Sequence, residues 1–142
     1  MADPLSLAAS IIAIATAAAQ ISRAISSLRH LGELPQRVYA LKNEVSDLEA
    51  VLLQISHALE QQTLTANNEH GSLAHILIRT KAHLTDLGKA LDRVANACKG
   101  SRIKIIAKSA IWAREKTLFQ GFQEDIRSVK ATLNLMLGAA NS

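Results

Sequence analysis

Five histidines (His30, His57, His70, His75 and His83), a single cysteine (Cys98) and a scatter of carboxylates are the side chains here whose types could do chemistry. The histidines show no HExxH spacing and no CxxC stands beside them, so no metal site is written into the chain. A Gly-rich phosphate loop and a GxSxG nucleophile elbow are also missing. The pairs Asp47/Glu49 and Glu124/Asp125 fall on otherwise polar helical faces, where solvated charge and i,i+4 pairing account for them. Cys98 lies on an apolar helical seam and reads as a small core residue. Without a second cysteine it forms no internal disulfide, which fits a reducing compartment. The expectation is a protein that is not an enzyme, with no catalytic residue, no metal ligand and no cofactor.

What remains chemically distinctive is charge. Of the net +4 on the chain, Lys99, Arg102, Lys104, Lys108, Arg114 and Lys116 against Glu115 supply +5 within eighteen residues, which leaves the rest at −1. Such a run suits anionic lipid, with the bland alternative of a solvated connection that binds nothing. Nucleic acid is not favoured, because only Trp112 is placed to stack on a base and no recognition motif accompanies it.

The elements that carry these residues are helices. A length of 142 residues suits one domain, residues 1–142, with a sizeable core. Only four aromatics (Tyr39, Trp112, Phe119, Phe122) stand among many Leu, Ile and Ala, and both prolines sit where helices start. The fold class is all-α, a four- to five-helix bundle with a hydrophobic N-terminal helix and helices near 4–29, 35–62, 72–98 and 110–137. In the second helix Leu34, Val38, Leu41, Val45, Leu48, Leu52, Ile55 and Leu59 alternate spacings of four and three, and Val51 and Leu53 widen that stripe to the breadth a bundle needs. Gly71-Ser72 reads as linker and N-cap for the third helix, with its seam at Leu73, Leu77, Thr80, Leu84, Leu87, Leu91, Val94 and Cys98. Gly88 inside that helix points to a close helix crossing. Ser101–Ser109 reads as a connection or a short helical turn. The last helix places Trp112, Phe119, Phe122, Ile126, Val129, Leu133 and Met136 inward, uses Glu115 as an exposed end and stops at Gly138.

The first helix is the most unusual. Asp3 caps it, Pro4 fits its first turn, and from Pro4 to Ser22 there is no charge. Leu7, Ile11, Ile14, Ala18, Ile21, Ile25 and Leu28 form one seam, while the other faces are mostly alanine, so the helix is expected to be mostly buried with several neighbours around it. Its charge-free part extends about 28 Å, close to the roughly 30 Å of a bilayer's apolar core. Six Leu/Ile contribute roughly −2 to −4 kcal/mol toward insertion, opposed by Ser6, Ser10, Thr16, Gln20 and Ser22, so the balance is near zero. A secretory signal is a third reading, through the small residues Ala17-Ala18-Ala19, but Asp3 stands where a basic segment belongs.

The opening MADPLSLAASIIAIATAAAQIS, the segment LPQRVYALKNEVSDLEAVL and the closing IWAREKTLFQGFQEDIRSVKATLNLML resemble, over essentially the whole chain, the fungal N-terminal domain of STAND (NLR-like) proteins, the HeLo-like group. That resemblance implies a helical bundle set before a sensor, NTPase or repeat region, which for a chain stopping at Ser142 is missing or separate. It further implies a conditional inducer of programmed cell death in heterokaryon incompatibility and innate immunity, cytoplasmic at rest and relocating to the membrane on activation. On this reading the partners are the chain itself as a homo-oligomer, anionic membrane lipids, and the C-terminal sensor or a separate regulatory protein. The membrane-interacting residues would be Leu5, Leu7, Ile11, Ile12, Ile14 and Ile21, joined by the basic run. The competing reading is a helical protein-interaction and oligomerisation module without membrane activity.

Overall fold

The computed structural model describes residues 4–28, 36–61, 67–98, 110 and 113–141. Four helices account for nearly all of them: α1 (Pro4–Ser27), α2 (Gln36–Glu60), α3 (Asn67–Cys98) and α4 (Lys116–Asn141). Among the described residues there is no strand.

The helices pack as a ring, α1 on α2, α2 on α4, α4 on α3 and α3 on α1. Directions follow from residue pairs. The segment between α1 and α2 is too short to return along a helix of about 36 Å, so the two are antiparallel. Glu44 meets Arg127 while Asp47 meets Lys130, so α2 and α4 run parallel. His83 faces Asp125 and Arg93 faces Glu115, so α3 and α4 are antiparallel. Hence α1 and α3 are parallel neighbours.

The seams meet along the ring's axis. Ile11, Ile25, Leu41, Leu48, Leu52, Ile55, Leu59, Leu87 and Leu133 are fully buried, with Ile14, Leu91, Phe119, Phe122 and Ile126 nearly so. Ile21 and Met136 are half-buried at its margin, and Leu137 takes the inner position beside Met136. Polar contacts tie the outside. Arg127 Nε donates to Glu44 Oε1 at 2.9 Å, Lys130 Nζ donates to Glu44 Oε2, and Lys130 reaches Asp47 at 3.4 Å. The hydroxyls of Ser22 and Ser46 share a hydrogen bond of 3.0 Å between α1 and α2.

Several expectations are corrected. Helix α3 starts at Asn67, so Gly71-Ser72 lies inside it; one glycine costs about 1 kcal/mol, too little to stop a helix with this much apolar periodicity. Likewise α4 passes through Gly138 to Asn141. A side chain at Gly138 would meet open space, so neither packing nor a turn halts the chain there. Leu53 is 47% exposed, and only Val51 widens the α2 stripe inward. Asp47 and Asp125 pair between helices instead of along them, because parallel and antiparallel neighbours bring Lys130 and His83 to hand. Glu115 is half-buried and 3.9 Å from Arg93. The expected connection Ser101–Ser109, the breaker His30–Pro35, and Trp112 lie outside the described residues.

The largest correction concerns α1. Among the described residues it packs against two helices, and only a third of its most apolar stretch, Leu7–Ser27, is buried. Part of the alanine surface that suggested burial on all sides instead looks outward: Ala9 and Ala13 are exposed with Thr16, whereas Ala8, Ala15 and Ala18 are buried. Small side chains bring little apolar area, so leaving them in water costs little.

Candidate functional site

Helices α1 and α3 pack side by side and come into close contact at one level. The contact is at Gly88, where a Cβ would stand 3.2 Å from Ile21 Cδ1. The close crossing suggested by that glycine is therefore present, and it holds two parallel helices at a small separation. Above and around it the helices leave an open groove of about 730 Å³.

The groove has an apolar floor made by Leu7, Ile14 and Ile21 of α1 with Leu77 and Leu84 of α3. Its α1 wall is Ser10, Ala13, Ala17, Gln20 and Ala24, all small or uncharged. The α3 edge is different: Ile78, Lys81, Thr85 and Asp92 stand on it, and Ile78 is 69% exposed. Neither Lys81 nor Asp92 forms an ion pair among the described residues.

Shape narrows what fits. The lining extends from Leu7 to Ala24 and from Ala74 to Asp92, about 26 Å at the rise of an α-helix. A groove of that length accepts one row of side chains from a helix laid over it, in the manner of ridges entering grooves.

The residues expected to meet a membrane are divided by the fold. Leu7, Ile11 and Ile14 point into the bundle, Ile21 is half-buried beside Gly88, and Ile12 is 44% exposed. Leu5 lies in the first turn of α1. Of the basic run, Arg114 and Lys116 are exposed, whereas Lys99, Arg102, Lys104 and Lys108 lie outside the described residues. No arrangement of the described residues gathers three metal-ligating side chains. Of the three histidines with described side chains, His83 is the one drawn into the fold: its Nδ1 is 3.5 Å from Asp125, and its Nε2 is buried without a hydrogen-bond partner among the described residues. His57 and His75 are exposed.

Electrostatics concentrate between α2 and α4. Burial alone would raise the Glu44 carboxyl, but hydrogen bonds from Lys130 and Arg127, with their charges, hold it below the usual carboxylate range. Burial alone would lower Lys130, and the hydrogen bonds and charges of Glu44 and Asp47 raise it instead. This cluster fastens α4 to α2 on the side of the bundle away from the groove.

The groove was not foreseen from the sequence. Its signal was there, however, in a second stripe on α3: Ala74, Ile78, Lys81, Thr85, Gly88, Asp92 and Ala95 repeat at four and three beside the core seam. A family model described as pigment biosynthesis cluster protein PigL N-terminal matches residues 2–142. No curated protein and no solved structure matches the chain.

Proposed function

We propose, for a chain that belongs to the pigment biosynthesis cluster protein PigL N-terminal family, a non-enzymatic helical interaction module that receives a helix ridge in the α1/α3 groove. The family description names an N-terminal region and a gene-cluster setting of fungal type, which agrees with the coarser part of the resemblance in the sequence. The observation that carries the reading is the groove itself, apolar on its floor, long, and left open at one side of the bundle. Natural helix-in-groove recognition uses this combination of apolar floor and polar edge. The partner in this reading is a helical protein surface, whether of the same chain, a following sensor region or a separate regulator. Its compartment is the cytoplasm, which a single cysteine fits.

A second reading, conditional membrane action in programmed cell death, is favoured by one observation: Leu7–Ser27 is long and apolar enough to cross a bilayer and is only a third buried. Magnitudes rank it second. Withdrawing α1 removes Leu7, Ile11, Ile14, Ile25 and Leu28 from the core, at about 1.5 to 3 kcal/mol each, or about 8 to 15 kcal/mol together. Insertion returns only roughly 2 to 4 kcal/mol from the six Leu/Ile, before the polar side chains are counted. Release would also expose the seams of α2 and α3.

Forced clustering on anionic vesicles separates the readings. With the chain fused to an inducible oligomeriser, the interaction module releases no entrapped dye. Dye release that disappears in a folded Thr16→Glu variant would replace it with the membrane reading, because Thr16 is exposed and a charge at bilayer depth costs about 2 to 3 kcal/mol. Co-sedimentation with Lys104, Lys108 and Arg114 changed to Glu measures the lipid attraction of the basic run, about 1 kcal/mol per cation near the surface.

A further inference from the structure

The α3 edge of the groove carries its own complement. Lys81 and Asp92 both line it, lie eleven positions apart in the sequence and have no ion-pair partner among the described residues. In a helix that separation is about 16 Å, along a stripe that repeats at four and three. From these features we infer that the occupant of the groove is a second copy of this chain, related by a twofold axis that crosses α3 between Thr85 and Gly88, with the two α3 helices antiparallel.

The twofold makes the charges match by construction. A residue at position k then faces position 173 minus k of the partner, so each Lys81 meets the Asp92 across from it and both pairs form at once. A parallel arrangement would set lysine on lysine and aspartate on aspartate, so orientation is selected by charge. At the axis stand Thr85 and Gly88, small enough for the two backbones to come close. The same register carries Ile78, the most protruding apolar residue on this edge, to the level of the partner's Ala95, about one helical turn beyond the Asp92 that ends the groove lining. Each α3 edge thus meets the same edge of the other copy, as an isologous interface requires.

The α1 wall supports the same occupant. It carries no charge from Ser10 to Ala24 apart from Arg23, which is exposed and does not line the groove. It therefore does not select an acidic or a basic partner, and the only charges to be satisfied are one of each sign. The inference deepens the interaction-module reading by naming its partner, and it rests on that reading.

The test is a charge exchange on the purified 142-residue chain, followed by light scattering or sedimentation from about 1 to about 300 µM, a range suited to a modest interface. Lys81→Asp and Asp92→Lys, each alone, turn two attractive pairs into two repulsive ones and should weaken dimerisation roughly tenfold or more. The double variant restores both pairs in reversed sense and should recover association to within about threefold of the parent. Both positions are exposed, and circular dichroism checks that each variant stays helical. Ile78→Asp should abolish the dimer. A parent chain that is monomeric throughout the range overturns the inference, as does a dimer indifferent to the exchange. So does a monomer that takes up a fluorescent fatty acid displaced by Ile21→Trp, which would make the groove an acyl-chain site. The vesicle assay above stands apart from this one: a monomer that releases no dye sinks only the choice of partner, whereas dye release that Thr16→Glu abolishes sinks the module reading itself.

Discussion

Replacing Gly88 by alanine should stabilise the bundle, even though it adds an atom where α1 and α3 are in close contact. In the interior of a 32-residue helix, alanine is favoured over glycine by about 0.8 to 1 kcal/mol. Against this stands the new Cβ, 3.2 Å from Ile21 Cδ1, a contact that asks the methyl to yield by a few tenths of an ångström. The atom that must move is the far end of a flexible side chain, and Ile21 is half-buried on the wall of an open groove. The methyl therefore has somewhere to go, and the steric term should consume a few tenths of a kcal/mol at most. The net is a gain of about 0.5 kcal/mol, or a rise in Tm of roughly 1 to 2 °C for a domain of this size. Urea unfolding at low concentration, where association adds nothing, reads the change as a shift in midpoint at constant slope. A loss of more than about 0.5 kcal/mol would refute the reasoning, because it would mean that Ile21 is clamped and the groove is filled at that level. Gly88→Leu is the contrasting case. It overpacks the crossing at a cost of about 1 to 3 kcal/mol and pushes α1 from α3.

Leu48→Ala removes a fully buried side chain from the centre of the ring, and calorimetry should show a loss of about 2 to 5 kcal/mol; a smaller change would mean that the seam collapses around the gap. Glu44→Gln leaves Lys130 and Arg127 without their shared carboxylate and should cost about 1.5 to 3 kcal/mol at neutral pH. The parent's pH dependence follows in sign: a carboxyl depressed in the fold adds stability above its unfolded value, and that stability is lost as pH falls through the folded one. Lys130 is raised in the fold, so its share is present below its unfolded value and is lost as pH rises through the folded one, at the alkaline end. Urea midpoints compared between parent and Glu44→Gln should converge on acidification; a constant gap would separate Glu44 from the acid response. Thr16→Glu, whose site is exposed and whose hydroxyl donates only to Ile12 of its own helix, should change stability by about 0.5 kcal/mol or less.

The helices and their inner faces were legible in the sequence because each carries a seam at alternating spacings of four and three, and burial of that seam is what folding selects. Val38, Leu41, Val45, Leu48, Leu52, Ile55 and Leu59 are all buried, without exception among the described members of the α2 seam. Helix ends were read less well, since Gly71 and Gly138 are weak signals beside the propensity around them. What periodicity does not contain is the number of neighbours a helix has. Alanine tolerates a core and tolerates water at nearly equal cost, so composition left the outer face of α1 undetermined, and only the ring α1-α2-α4-α3 turned it outward. The groove follows from the same cause. Gly88 announced a close crossing, but that a groove runs along it, with Ile78, Lys81 and Asp92 on the open edge, depends on how two parallel helices are held by α2 and α4 across the bundle. Contacts of that range, between residues some seventy positions apart, are set by packing of the whole: the stripe on α3 marks one edge of the groove, but no local pattern fixes which helix lies across from it.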